Sequence, residues 1–363
     1  MLYDLPELPL QTSVADKENS NLYFIQLHIG PRNMGRKRHL LITGALGHIG
    51  SALIRDTKSL IDVRRITMVD DMSTQRYCSL FNLPSSISYT FLEGDVGQIL
   101  NSALLKDVDA VIHLAGAVDP VANFASPEIL VQNNLRITEC IARACESAQV
   151  PLIFSSSTSV YTPTTSEVDE TETALNPQGA YAQSKLKEEE LIRSILHHGR
   201  YLIFRFGSIF GPSIGMRFQT AINKFCYQAS FGRPIDVWRT AMHQFRPYLA
   251  ISDCTSVLGQ AASFDLFPNT TINAVTCNAT VMEILDCIRS CGIEPDVIEV
   301  DNLAMNSFSY RVSNDVAVQA GFTFEGSLLS GVSDTLNLLK GAVPLRTGFS
   351  IEKGELLDDL AKQ

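Results

Sequence analysis

Tyr181 and Lys185, in Ala180-Tyr181-Ala182-Gln183-Ser184-Lys185, are four residues apart and share one face if the segment is helical. That pairing offers a base. Free tyrosine ionises near pH 10, too high to abstract a proton at neutral pH, but an ammonium a few ångströms away favours the phenolate. A hydroxyl that can steady the same proton stands upstream, where Phe154-Ser155-Ser156-Ser157 closes an apolar run, and Ser157 is the candidate. The competing reading of the tyrosine–lysine spacing is an exposed helix, and Lys187-Glu188-Glu189-Glu190 reads as its solvated face.

A second group of residues suits a phosphate. Leu40-Leu41-Ile42-Thr43 runs into Gly44-Ala45-Leu46-Gly47-His48-Ile49-Gly50, a strand, a glycine turn and a helix opening. Glycines let main chain approach a pyrophosphate, and a helix N-terminus supplies N–H donors and positive dipole. Twenty residues beyond Gly50, at the end of the next apolar run, sits Asp70. A carboxylate there accepts hydrogen bonds from a ribose 2′-OH and repels a 2′-phosphate, so the expected dinucleotide is NAD rather than NADP. Asp71 beside it reads as a loop cap or a neighbour of the adenine.

Both groups need strands and helices to position them. Short apolar runs at 40–43, 66–69, 88–92, 110–114, 152–155 and 201–206 alternate with helix-length stretches, of which 129–148 and 182–196 are amphipathic. Runs buried on both faces and separated by helices indicate a parallel sheet covered by helices, so Ser157 falls at a strand end and Tyr181 at a helix opening. After Gly207 the alternation weakens; Gly211-Pro212, Gly215 and Gly232-Arg233-Pro234 punctuate shorter elements, and apolar runs return at 248–251 and 271–275. The chain is therefore expected to leave the sheet and rejoin it more than once. The fold class is α/β, a doubly wound parallel sheet with a smaller, discontinuous C-terminal α/β domain. Residues 1–36 form an extension, 37–207 the dinucleotide domain with returning strands at about 248–277, and 208–247 with 278–363 the substrate domain.

Composition removes several classes of function. The 363 residues are 45% hydrophobic and 19% charged, enough for a full core without disulfides or metals. With 29 Lys plus Arg against 39 Asp plus Glu, the net charge is -10 and no basic block stands out, which argues against a nucleic-acid or polybasic membrane surface. No run of eighteen apolar residues suggests a membrane span, and the first residues lack the pattern of a secretory signal. Eight cysteines without a CxxC read as buried thiols, and no metal is expected; Asn269 and Asn278 sit in chance sequons. These features point to a cytoplasmic protein.

The glycine spacing resembles the TGxxGxxG of the short-chain dehydrogenase/reductase superfamily, in its extended, nucleotide-sugar-modifying branch. Further segments follow in the branch's order, and the likeness runs from Leu40 to near Leu339. Gly94-Asp95-Val96 is similar to an adenine-contacting Gly-Asp-[Val/Ile], His113-Leu114-Ala115-Gly116 to a strand end that lines the cofactor, and Asn133-Asn134-Leu135 to a segment supporting the active site. The resemblance implies a Rossmann domain that binds NAD through Gly44, Leu46, Gly47, His48, Ile49, Gly50, Asp70, Asp71, Asp95, Val96, Leu114, Ala115 and Gly116, with Tyr181 and Lys185 at the nicotinamide end.

On the same resemblance, dehydratases and decarboxylases of the branch carry a glutamate in ST[DS]E[VL]Y, whereas Ser157-Thr158-Ser159-Val160-Tyr161 has no acid and looks like the SSSATVY of 4-epimerases. Elimination without that carboxylate lacks its general acid/base. Arg205-Phe206-Gly207-Ser208 is similar to R-x-x-N, with Ser208 where an asparagine contacts the substrate diphosphate. Phe245-Arg246-Pro247-Tyr248 is similar to a segment whose arginine binds the pyrophosphate, and Arg311 lies where a second such arginine is found, although Pro247 and Ala250 depart from the pattern. The implied reaction is epimerisation of a nucleotide-diphosphate sugar at C4, with Tyr181 as base, Lys185 tuning it and Ser157 orienting the hydroxyl. A 2-epimerase, a pyranose–furanose mutase, a reductase or dehydrogenase, and a catalytically silent NAD-binding scaffold are the other readings. A homodimer formed through 129–148 and 182–196 is also implied.

Overall fold

Six short apolar runs become strands of one sheet, the central ones buried on both faces and the edge run at 88–93 only partly covered. The computed structural model describes residues 37–117, 127–197, 200–263, 267–301 and 309–341, so the extension assigned to 1–36 lies outside the described residues. The strands are β1 (Arg38–Thr43), β2 (Val63–Asp70), β3 (Ser88–Glu93), β4 (Ala110–His113), β5 (Leu152–Ser157) and β7 (Tyr201–Phe206), with β6 (Glu167–Val168) lying outside the sheet. Strand β11 (Thr270–Ala274) completes it in the order β11-β7-β5-β4-β1-β2-β3, every pair parallel. The chain first extends the sheet one way and then the other, and the reversal falls between β1 and β4, whose C-terminal ends open the crevice where α/β sheets bind ligands.

Helices close both faces. On one, α3 (Pro127–Ala148) and α4 (Ala180–Ile195) pack Ile137, Ile141 and Ile192 on Leu41, Val111 and Ile203. On the other, α1 (His48–Leu53), α6 (Ile251–Ser263) and α8 (Asp315–Gln319) bring Leu53, Val257, Leu258 and Ala317 against Ile42, Ile66 and Phe204. Two of these three helices come from beyond residue 207, so the C-terminal half supplies much of the cover of the main sheet. The short α2 (Val96–Ile99) follows β3.

The second region has its own core, in which Phe210, Ile222, Phe225, Ile284, Leu285, Val332 and Leu336 meet. Around it lie α5 (Ala221–Ser230), α7 (Val281–Ser290) and α9 (Leu328–Leu339), with a sheet of β8 (Ser208–Phe210), β10 (Arg246–Ala250) and β12 (Cys277–Ala279). Paired strands β9 (Ile235–Trp238) and β13 (Val297–Val300), and β6 with β14 (Arg311–Val312), complete it. Here one expectation fails. The apolar run at 248–251 does not rejoin the main sheet but pairs with β8, Tyr248 opposite Ser208, and among the described residues β11 alone returns. Gly207, between β7 and β8, lets the main chains pass closely: a Cβ there would lie 2.9 Å from the Tyr248 carbonyl carbon.

Candidate functional site

The glycine turn is held open for a ligand by backbone contacts that exclude side chains. Gly44 takes φ +64, and a Cβ there would meet Ala115 N at 2.7 Å and the Leu114 carbonyl carbon at 2.8 Å, so the Leu114-Ala115-Gly116 strand end lies directly against the loop. A Cβ on Gly50 would lie 2.5 Å from Gly44 O. Gly47 opens α1 with no side-chain cap, which leaves the first-turn N–H groups at Ile49 and Gly50 for something other than a side chain. A cradle of main-chain donors that no Cβ can enter fits a pyrophosphate.

Asp70, at the end of β2, accepts from Leu46 N and from Met72 N, each at 3.0 Å, and so fixes the loop beside it. Burial raises its carboxyl above the ordinary range, and those two N–H groups oppose the shift. Asp71 is exposed and caps the next turn, its Oδ1 accepting from Ser73 N and Ser73 Oγ. Asp95 caps α2 through Gly97 N and pairs with Arg136 at 2.7 Å, and that hydrogen bond pulls its carboxyl below the usual range; Val96 is buried beside it.

His48 is placed differently from the other loop residues. Its ring is buried and turned toward the second region, Nε2 lying 2.9 Å from Gly211 O, while burial lowers its pKa to about 4. A neutral ring with Nε2–H donating satisfies that carbonyl. Ser213 Oγ donates to His48 O, and Gly215 N donates to Ser51 Oγ. The loop after β8 is thereby fastened to the phosphate turn.

The helix bearing Tyr181 and Lys185 lies on the end of β5. Gly179, at φ +82, turns the chain into α4 and puts Tyr181 in the first turn. The Lys185 ammonium sits 4.6 Å from the centre of the Phe154 ring on β5 and 5.9 Å from that of Tyr181. Ser156 Oγ donates to Glu189 at 2.5 Å, a second tie between strand and helix. Ser157 ends β5 opposite Phe206 of β7, and Ser159 donates to it from both its main-chain N, at 3.2 Å, and its Oγ, at 2.9 Å. The position at which the resemblance puts an acid in dehydratases thus carries a hydroxyl that orients Ser157.

The solvated face expected for Lys187-Glu188-Glu189-Glu190 is only half present. Lys187 and Glu190 are exposed, whereas Glu188 and Glu189 are fully buried at 0% exposure. Glu189 is clamped by the Arg205 guanidinium at 2.9 and 2.8 Å and by Arg193 at 2.8 Å. Burial acts to raise its carboxyl, but Arg205, Ser156 and Arg193 prevail and hold it below the ordinary range. Glu188 instead faces Lys185. The spacing puts positions 181, 185 and 188 in one narrow arc of a helix with 189 at its edge, but it does not announce the partners that bury the two glutamates.

In the second region the site is more open. Arg246 begins β10, half-buried and within the electrostatic field of Tyr248 and Tyr310. Arg311 is exposed and stacks its guanidinium over the Phe245 ring at 3.8 Å. Tyr310 N donates to Phe245 O at 3.2 Å, so the two segments that carry these arginines run side by side. Ser208 is exposed at the start of β8. Tyr310, not singled out by the sequence, hydrogen-bonds the Thr158 side chain and so links this region to the end of β5. Among the described residues no group of three or more His, Cys, Asp or Glu could hold a metal ion, and no helix is long and apolar enough to cross a membrane.

Comparison with known proteins agrees with this geometry. The UDP-glucose 4-epimerase of Azospirillum brasilense is 28% identical over 235 residues, 59% of this chain and 65% of its own length. An uncharacterized UDP-glucose epimerase of Bacillus subtilis (strain 168), YtcB, is 27% identical over 240 residues, 61% of this chain and 72% of its own. Among solved structures, the UDP-glucuronic acid 4-epimerase of Bacillus cereus in complex with UDP-glucuronic acid and NAD superposes with a TM-score of 0.73, at 21% identity, over 84% of this chain and 99% of that one. A model of the NAD dependent epimerase/dehydratase family matches residues 40–273, more than half the chain. With its glycine cradle and the Tyr181–Lys185 helix beside it, the chain belongs to the NAD dependent epimerase/dehydratase family.

Proposed function

We propose that this protein interconverts the C4 epimers of a nucleotide-diphosphate sugar without net oxidation or reduction. The observation that carries the reading is the end of β5, where Ser157 is oriented by the Ser159 hydroxyl at 2.9 Å in place of an acid, next to the helix bearing Tyr181 and Lys185. A site with a phenol, an ammonium and two hydroxyls can remove and return a hydroxyl proton; it has no carboxyl group at the position that elimination would use. NAD, held by the 44–50 turn and Asp70, supplies the hydride acceptor and donor.

Tyr181, as phenolate, takes the proton of the sugar 4-hydroxyl, and the same phenol returns it to the C4 oxygen once the keto-sugar has turned to present its other face. Ser157 accepts and donates at that hydroxyl and fixes its direction. Lys185 stabilises the phenolate and reaches the nicotinamide ribose. Arg246 and Arg311 hold the diphosphate by charge-assisted hydrogen bonds, so that the sugar can turn while its tether stays in place. Ser208 offers a hydroxyl to the same group.

The reading includes a homodimer in which α3 and α4, packed side by side on one face of the sheet, form the contact; Ile129, on the first turn of α3, is 66% exposed. It also includes a cytoplasmic location, supported by eight free thiols. The test is incubation of the purified protein with UDP-, GDP-, dTDP- and CDP-sugars, with no NAD added, followed by proton NMR. A second anomeric signal in proportion to a C4 epimer supports the reading. Conversion that stops at one equivalent of bound cofactor and proceeds only when NAD or NADH is supplied and consumed in proportion to the sugar indicates a dehydrogenase or a reductase instead.

A further inference from the structure

Lys185 does not stand alone in its pocket. Its ammonium lies 3.3 Å from Glu188 Oε2, with the lysine 3% and the glutamate 0% exposed. A buried carboxylate must find donors, and Glu188 has three: Ser184 Oγ donates to Oε1 at 2.7 Å, Thr138 Oγ to Oε2 at 2.8 Å, and Lys185 to the same Oε2. The donors continue behind Thr138. Its hydroxyl proton is committed to Glu188, so it accepts from His113 Nε2 at 3.2 Å, and His113 Nδ1 accepts from Thr43 Oγ at 2.8 Å. Burial, reinforced by the charge of Lys185, keeps His113 neutral, as that arrangement requires. A one-way chain of neutral donors therefore runs from the strand beside the glycine turn to a single carboxylate, and the catalytic ammonium is that carboxylate's only cationic partner among the described residues.

We infer that Glu188 is a positioning residue for Lys185: its charge holds the ammonium in the pocket and offsets part of the field that would otherwise fall on Tyr181. The inference rests on the proposed role of Tyr181 as base. The neighbouring Glu189 cannot do this, because its carboxylate is already paired with Arg205 and Arg193. The titratable groups that face Glu188 are Lys185 on its own helix, with Tyr181 one turn before, and His113 on β4; α3 presents Thr138, β5 presents Phe154 and β1 presents Thr43. Among the described residues one of the three N–H groups of Lys185 is engaged by Glu188, at the long end of an ion-pair distance, which leaves the others for the phenolate and the ribose.

Two substitutions then act in opposite directions. Glu188→Gln keeps the shape and removes the charge, releasing the full field of Lys185 onto Tyr181. Thr138→Val changes no charge but removes a donor from Oε2, so the carboxylate takes more of the ammonium. The experiment is carbon-13 NMR of the full chain with labelled tyrosine ring carbons and NAD bound, following the Tyr181 resonance through a pH titration and assigning it by its loss in Tyr181→Phe. No sugar is needed, so the result stands whether or not a substrate is in hand. Glu188→Gln is expected to move the midpoint down by about one pH unit, roughly tenfold in phenolate at a given pH, and Thr138→Val to move it up by a few tenths. With a substrate, the acid limb of the kcat profile follows in the same directions. A residue that only supported the fold would lower the melting temperature in both variants and leave both midpoints where they were, and that outcome overturns the inference. An upward movement in Glu188→Gln does so as well. If Glu188→Gln does not fold, Thr138→Val decides alone: an unchanged or lowered midpoint rejects the role.

Discussion

The end of β5 with α4, and the β10–β14 edge of the second region, carry the residues proposed for one reaction but are built in opposite ways. In the first, Glu188 and Glu189 are fully buried and their carboxylates accept from Lys185, Ser184, Thr138, Ser156, Arg193 and Arg205 at 2.5–3.3 Å. In the second, Arg311 lies on an aromatic ring in the open, Ser208 is exposed and Arg246 is half-buried. The difference teaches where each kind of precision is required. Proton transfer needs donor, acceptor and counter-charge fixed to a few tenths of an ångström, and only a packed, desolvated network does that. A tether must hold a diphosphate while the sugar turns, and long guanidiniums in contact with water can do so with less order behind them.

Changes in the two regions should therefore cost different things. Tyr181→Phe should have the largest effect. It removes the proton carrier and should lower kcat by about 10²–10⁴-fold while NAD stays bound and the melting temperature stays within a few degrees. A comparable loss of melting temperature would make the tyrosine a packing residue and erase the contrast.

The seam between the regions should show next, in stability rather than rate. His48 is buried with a pKa of about 4 against an ordinary 6.5, so the unfolded chain binds a proton that the folded one refuses. Its contribution is complete above about pH 6.5 and declines as the pH falls toward 4, by up to ~3 kcal/mol. Denaturant melts from pH 7 to 4 should show that decline in the natural protein and a flatter course in His48→Phe. Equal slopes would mean that burial does not hold His48 neutral.

In the second region Arg246→Ala should raise KM by about 10–100-fold through the loss of charge-assisted bonds, with kcat within a few-fold and stability unchanged. Arg311→Ala should give the smallest effect, a few-fold in KM, because its guanidinium is already shared with Phe245. If Arg311→Ala outweighs Arg246→Ala, the ranking of the two tethers is reversed.

How far each region could be read from the amino acids follows the same divide. The strands came through because each is a short apolar run, and the glycine turn because Gly44 and Gly50 sit where no Cβ fits. The tyrosine–lysine helix was legible from a spacing of four. What stayed hidden was burial. Glu188 and Glu189 belong to a run of charges that looks solvated, and only the partners brought from α3, β5 and β7 (Thr138, Ser156 and Arg205) make them interior residues. The partner of His48 is 163 positions away, and no local pattern announces it. Strand β10 misled for a related reason. Its run is as apolar as that of β11, and nothing local says which of the two sheets it joins.

The claim on which the account turns is that hydride leaves and returns to the same sugar carbon while Tyr181 carries the proton. Deuterium at C4 of the nucleotide sugar that proves active, followed by NMR without added NAD, tests it directly. The account predicts that the epimer formed keeps its deuterium at C4 and that Tyr181→Phe, with NAD bound, forms it about 10²–10⁴-fold more slowly. Loss of the label to solvent, or formation of the labelled epimer by Tyr181→Phe at the natural rate, would contradict it.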